Sequence, residues 1–156
     1  MTIPILLDTQ LMVLLAVGAT SLSIIPKHKN LTEFTVDDFE LLLHLLGRDP
    51  ELILLPNTVS EAANLLRQHR DPERSRIMAT LETIVGSNVE RYVPSSEVVL
   101  RPDFRRLGLT DTAILEACKL PAYQILTADL DLFVAASISG LQAVSFNHQR
   151  EDYGLI

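Results

Sequence analysis

A chain of 156 residues with 47% hydrophobic content can enclose a core without disulfides or a structural metal, so one domain over residues 1–156 is the expectation. Its formal net charge of -7 argues against a protein that coats nucleic acid through its overall field, although carboxylates gathered to hold cations would add to that count. The lone cysteine, Cys118, excludes an intramolecular disulfide and favours a cytoplasmic location, and neither the opening Met-Thr-Ile-Pro nor the run Leu11 to Val17 reads as a signal peptide or as a membrane span of ~20 residues.

Ile3 to Leu7 is an unbroken apolar run ending at Asp8 and predicts a buried strand; Leu11 to Val17 predicts a buried helix stopped at Gly18. After a polar connection around Pro26 to Asn30, Thr35 stands three residues before Asp38, and Phe39, Leu42, Leu43 and Leu46 recur at helical spacing up to Gly47. Leu52 to Leu55 predicts a second strand ended by Pro56. Thr58-Val-Ser-Glu61 then opens a helix reaching about His69.

Asp71-Pro72 starts a further helix with Ile77, Leu81, Ile84 and Val85 inward and Gly86 at its end, and Glu90 to Val93 is a short third strand. Ser96 to Leu107 is a helical stretch disturbed by Pro102, and the next helix begins at Gly108-Leu-Thr110-Asp111. Gln124 to Thr127 is a strand, Asp131 to Ser139 a helix before Gly140, and Ala143 to Phe146 a last strand. Strands alternating with helices imply a mostly parallel sheet covered on both faces.

In such a sheet, ligands bind beyond the carboxyl ends of the strands. Asp8 and Asp129 follow strands directly, Glu61 lies early in the helix after the second strand, Asp111 opens its helix, and Asp131 follows two residues after Asp129. Converging carboxylates repel one another unless a cation or protons intervene, and an all-oxygen shell suits Mg²⁺ or Mn²⁺ better than zinc. Each acid also has a structural reading. Thr58 and Glu61 have capping-box spacing, while Asp111 and Asp131 sit where helix amino termini attract carboxylates.

Four segments stand in this order: Ile5-Leu-Leu-Asp8-Thr9; Leu55-Pro-Asn-Thr-Val-Ser-Glu61-Ala-Ala-Asn64; Leu109-Thr110-Asp111-Thr112-Ala113; and Ile125-Leu-Thr127-Ala-Asp129. Together they resemble the PIN-domain nuclease family, which includes the toxin ribonucleases of bacterial toxin–antitoxin pairs. The resemblance implies a three-layer α/β/α fold with a central, mostly parallel sheet of four or five strands. It also implies an endoribonuclease with Asp8, Glu61, Asp111 and Asp129 as catalytic metal ligands, Asp131 as an auxiliary one, and the Thr127 hydroxyl near the metal or the phosphate. RNA is the implied substrate, an antitoxin protein an implied partner, and a homodimer the implied state. The amphipathic helix Val36 to Leu46 is one candidate surface for self-association, although burial in the monomer core is its simpler reading. The chain departs from the family at Gln10, where Asn is usual, and in a longer stretch from Ser21 to Gly47.

Arg67, His69, Arg70, Arg74 and Arg76 form one basic group, with others at Lys27-His28-Lys29 and at Arg101, Arg105 and Arg106. Arg67 and Arg70 are the candidates for phosphate contact, against the plainer reading of solvated helix faces. The four histidines, His28, His44, His69 and His148, share no metal-ligand spacing, and Cys118 reads as a core residue. Two rival functions are a metal-dependent phosphatase of another α/β family and a non-catalytic module on the same fold that binds RNA or protein.

Overall fold

The computed structural model describes residues 3–156; Met1-Thr2 of the opening segment lie outside them. Strand β1 (Ile5–Leu7) pairs in parallel with β4 (Gln124–Thr127), and β4 pairs in parallel with β5 (Gln142–Ser145), in the order β1-β4-β5. Strands β2 (Ile53–Leu54) and β3 (Val89–Glu90) form a second parallel pair. A single parallel bridge between Ile5 and Leu52, with the Ile5 amide donating to the Glu51 carbonyl at 2.8 Å, links this pair to β1.

The fold is thus mixed α/β with parallel strands, as the alternation of elements implies. The strands form a three-stranded sheet and a two-stranded pair, and one continuous sheet of four or five strands is not shown. β2 and β3 share only the register Ile53 to Val89 and Leu54 to Glu90, which leaves little ladder to extend a sheet.

The apolar strands bury both of their faces, which is why they read as continuous hydrophobic runs. Leu7, Leu52, Leu54 and Leu126 point into one cluster of buried side chains, and Leu6, Ile53, Leu55 and Ile125 into another. The first cluster packs against α1 (Thr9–Thr20), α2 (Val36–Leu46), α3 (Pro56–Leu66) and α4 (Glu73–Gly86). The second packs against α5 (Ser95–Val98), α7 (Leu109–Ala117) and α8 (Leu130–Ile138). The short α6 (Phe104–Leu107) follows Pro102, so the disturbed stretch resolves into two separate turns of helix.

Several expected boundaries move for identifiable reasons. α1 does not stop at Gly18 but runs through it, because Gly18 is a seat for an aromatic ring: a Cβ there would meet Phe39 Cδ1 at 2.2 Å. The connection around Pro26 to Asn30 is two 3-10 turns, Leu22–Lys27 and Lys29–Leu31, that bury Ile24, Ile25 and Leu31. α2 has the expected cap, with Thr35 and Asp38 bonded reciprocally, and Phe39, Leu41, Leu42 and Leu46 are buried within the chain. Its apolar face is therefore buried in the core, the simpler of its two readings, and is not a free surface for self-association.

α3 starts two residues earlier than expected, with Pro56 in its first turn. A last helix, α9 (Phe146–Asp152), follows β5 directly and was not anticipated. No helix among the described residues is long and apolar enough to cross a membrane.

Candidate functional site

The parallel strands end on one edge, and the acids collect there. Asp8 caps α1: its Oδ1 accepts the Leu11 amide at 3.0 Å, and its Oδ2 accepts the Ala128 amide at 2.9 Å together with the Thr127 hydroxyl. Thr127 Oγ1 in turn accepts the Asp129 amide at 2.9 Å, so one hydroxyl ties the ends of β1 and β4 together. Asp129 caps α8 through the Leu132 amide, 3.0 Å from its Oδ1. The strand-end acids are therefore also helix caps, a place that Asn or Ser would fill about as well.

Glu61 has a different setting. Because α3 begins at Pro56, Thr58 lies inside the helix, buried and with no hydrogen-bond partner for its hydroxyl, and the capping box expected with Glu61 does not form. Glu61 is instead held by two hydroxyls from other elements. Thr9 donates to Oε1 at 3.1 Å, and Thr110 donates to Oε2. Asp111 stands in the first turn of α7, where Gly108 takes φ 86 to turn the chain into the helix.

Asp8, Glu61, Asp111 and Asp129 line one pocket of about 400 Å³, together with Thr9, Gln10, Glu33, Phe34, Asn147 and Arg150 among others. The one basic side chain in that lining, Arg150, is already committed. Its Nε donates to Asp38 Oδ1 at 2.8 Å, its Nη2 to the Glu33 carbonyl at 2.8 Å, and its Nη1 to Asn147 Oδ1 at 3.0 Å. Its guanidinium carbon stands 5.1 Å from the centre of the Phe34 ring. Asn147 also reaches the Ala128 carbonyl at 3.1 Å, fastening the acid-bearing loop to α9.

Among the described residues of the lining the remaining negative charge meets no further basic side chain, and the ionisation of the acids reflects this. Asp111 is pushed up to about 7, first by burial and then by the charges of Asp129, Asp8, Glu61 and Asp131. Asp8 is raised chiefly by burial and to a small extent by Asp129, against the hydrogen bonds from Thr127, Leu11 and Ala128 that favour its anion.

Among the described residues, no three His, Cys, Asp or Glu side chains stand close enough to form a ready cation cage. The fit to a divalent ion therefore rests on donor chemistry and unbalanced charge. The donors are anionic oxygens from four elements, with no sulfur and no imidazole in the lining, which suits a hard cation such as Mg²⁺ or Mn²⁺.

The other expected site residues lie outside the lining of this pocket. Asp131 is exposed in the first turn of α8 and outside the lining, acting on Asp111 only through its charge. Thr127 is fully buried, and its hydroxyl stands against Asp8 and the Asp129 amide, positioning two of the lining acids from behind. Arg67 and Arg70 are exposed around the carboxyl end of α3, away from the lining.

Sequence reasoning passed over Thr9, Thr110, Asn147 and the buried pair Asp38–Arg150. The hydroxyls had a signal, since each adjoins an acid in Asp8-Thr9 and Thr110-Asp111. The pair, 112 residues apart, had none. No family model, curated protein or solved structure matches this chain.

Proposed function

We propose that this chain is a Mg²⁺- or Mn²⁺-dependent endoribonuclease on a PIN-like, three-layer α/β/α framework. The observation that carries the reading is the gathering of Asp8, Glu61, Asp111 and Asp129 around one pocket at the carboxyl ends of the parallel strands, without a free cation among them. Buried apolar clusters on both faces of the strands support the layered framework, and the bridge from Ile5 to Leu52 supports one five-stranded surface behind the site.

Asp8, Glu61, Asp111 and Asp129 would hold the ion, which supplies an activated water and neutralises charge at the scissile phosphodiester. The chain's own part is orientation. Three donors fix the Asp8 carboxylate, Thr9 and Thr110 fix Glu61, and the Leu132 amide fixes Asp129, so little side-chain freedom is left to lose on binding. Without a cation Asp111 retains a proton near neutrality, and a cation in the pocket favours its anion.

The same reading carries a cytoplasmic location and two protein partners: a second copy of this chain, and a small antitoxin if the enzyme is the toxin of a pair. Leu100, Leu120 and Ile138, exposed by 81%, 91% and 81%, are the apolar residues that support a contact, in place of the buried face of α2. Light scattering at micromolar concentration tests the homodimer, and the monomer mass of 17.3 kDa would remove it. RNA cleavage in Mg²⁺ or Mn²⁺ and its loss in EDTA test the activity. Undiminished cleavage in EDTA, or an RNA left intact in both ions, would remove the nuclease reading.

A further inference from the structure

A second pocket, of about 370 Å³, adjoins the acidic one and is lined by Asn57, Ser60, Tyr92, Ser95, Leu109 and Thr110 among others. The two share a wall: Ser60 precedes Glu61 in α3, and Thr110 lines the second pocket while its hydroxyl bonds Glu61 of the first. Tyr92 follows β3, and so stands at the carboxyl end of a parallel strand, as Asp8 and Asp129 do. The chemistry changes across the wall. Among the described residues, five carboxylates line the first pocket, whereas no acidic or basic side chain lines the second.

Tyr92 is 76% exposed in a chain with three tyrosines and no tryptophan. The other two are engaged, Tyr123 by Arg91 and Tyr153 by His44, while among the described residues the Tyr92 ring and hydroxyl have no aromatic, cationic or hydrogen-bond partner. Among the described residues, Asn57, Ser60 and Ser95 likewise make no side-chain hydrogen bond. An uncharged recess with a free aromatic face and unpaired amide and hydroxyl groups offers a stacking surface and edge contacts to a planar heterocycle. It suits neither a phosphate nor a cation.

We infer that this recess is a nucleobase subsite, which takes one unpaired base of an RNA strand against Tyr92 and so sets the adjoining phosphodiester beside the acidic pocket. This rests on the nuclease reading for its substrate. It narrows that substrate to single-stranded or looped RNA, because a paired base has no face to offer.

The absence of tryptophan makes the test direct, since Tyr92→Trp places the chain's only indole at the subsite, on a side chain exposed enough to accept the change. An unstructured single-stranded oligoribonucleotide is titrated in Ca²⁺, an oxygen-seeking ion that neutralises the carboxylates. The expected result is saturable quenching of the indole, with no quenching by the same strand carrying abasic riboses or by a blunt RNA duplex. Anisotropy of a labelled strand should show Tyr92→Ala binding about tenfold more weakly than the native chain, within the range for one lost base stack.

Unchanged emission at any strand concentration, or equal quenching by the abasic strand or the duplex, overturns the subsite. The nuclease reading fails separately. Quenching by an RNA that Mn²⁺ leaves intact in the native chain keeps the subsite and removes the nuclease, while cleavage beside an unquenched indole does the reverse.

Discussion

Glu61 Oε2 accepts the hydroxyl proton of Thr110, 49 residues further along and on a different helix. With Thr9 on the other oxygen, the carboxylate is held between α1 and α7 and takes no part in starting its own helix. Glu61→Gln therefore separates charge from shape. Relief of repulsion at Asp111 should leave the ion-free protein as stable as the native one or slightly more so. Cleavage should fall by on the order of a hundredfold or more, ~2.7 kcal/mol in the barrier, and the rise in melting temperature on adding Mn²⁺ should shrink. Native-like rates with an unchanged Mn²⁺ shift would return Glu61 to a purely structural place.

Asp111 sets a pH dependence of opposite sign to that of an ordinary paired carboxylate. Its native value of about 7 lies above the unfolded 3.8, so between these limits the folded state binds more protons than the unfolded. The contribution to stability is fully present below about 4 and is lost as pH rises through 7. Melting curves of the ion-free native chain against Asp111→Asn should diverge across that window, with the native chain losing ground as pH rises. Mn²⁺ should stabilise the native chain more at pH 8 than at pH 6. A difference between the two proteins that stays flat with pH would contradict this assignment.

Arg150 and Asp38 form a buried pair that joins α9 to α2. Arg150→Met strands the Asp38 carboxylate and should cost about 3–5 kcal/mol, read in chemical denaturation. Adding Asp38→Asn removes the stranded charge while keeping an oxygen for the Thr35 amide, 2.8 Å away, so the double variant should recover part of that loss. Additive losses would mean that the pair is not coupled.

Gly18 of α1 faces the Phe39 ring of α2, and a methyl there meets that ring. Gly18→Ala should gain about 1 kcal/mol of helix propensity but lose about 1–3 kcal/mol to overpacking, a net fall of up to several degrees in melting temperature. Phe39→Leu in the same chain should return part of it. A melting temperature raised by Gly18→Ala alone would show that the ring gives way.

The same contact explains what a linear reading conveys. Gln124 to Thr127 and the capped helix from Val36 to Leu46 were legible because each is set by local pattern: an apolar run in one case, a Thr-Asp cap with helical spacing in the other. Gly18 looked like a stop, because the ring that needs its missing side chain comes from 21 residues away. α9 was hidden for a related reason: of its seven residues only Phe146 is apolar, so it has no periodicity to read, and Arg150 anchors it through a partner far back in the chain.

At the site, the four acids were legible from their addresses after strands and in first turns. The absence of a Thr58–Glu61 cap was not, since it depends on where Pro56 lets α3 begin.

The most direct measurement of the central claim compares native chain and Asp129→Asn for RNA cleavage in Mn²⁺, with melting temperatures taken alongside. Asp8 is the poorer probe. An asparagine there would turn an amide NH₂ toward one of the backbone amides that its two oxygens now accept, and so disturb the fold as well as the charge. At Asp129 an asparagine caps α8 about as well as the aspartate through the same Leu132 amide, losing about 0.3–1 kcal/mol of charge–dipole energy. The account predicts Mn²⁺-dependent cleavage by the native chain, abolished in EDTA, and a loss of on the order of a hundredfold or more in Asp129→Asn at a nearly unchanged ion-free melting temperature. Equal cleavage by the two proteins, or cleavage that persists in EDTA, would contradict it.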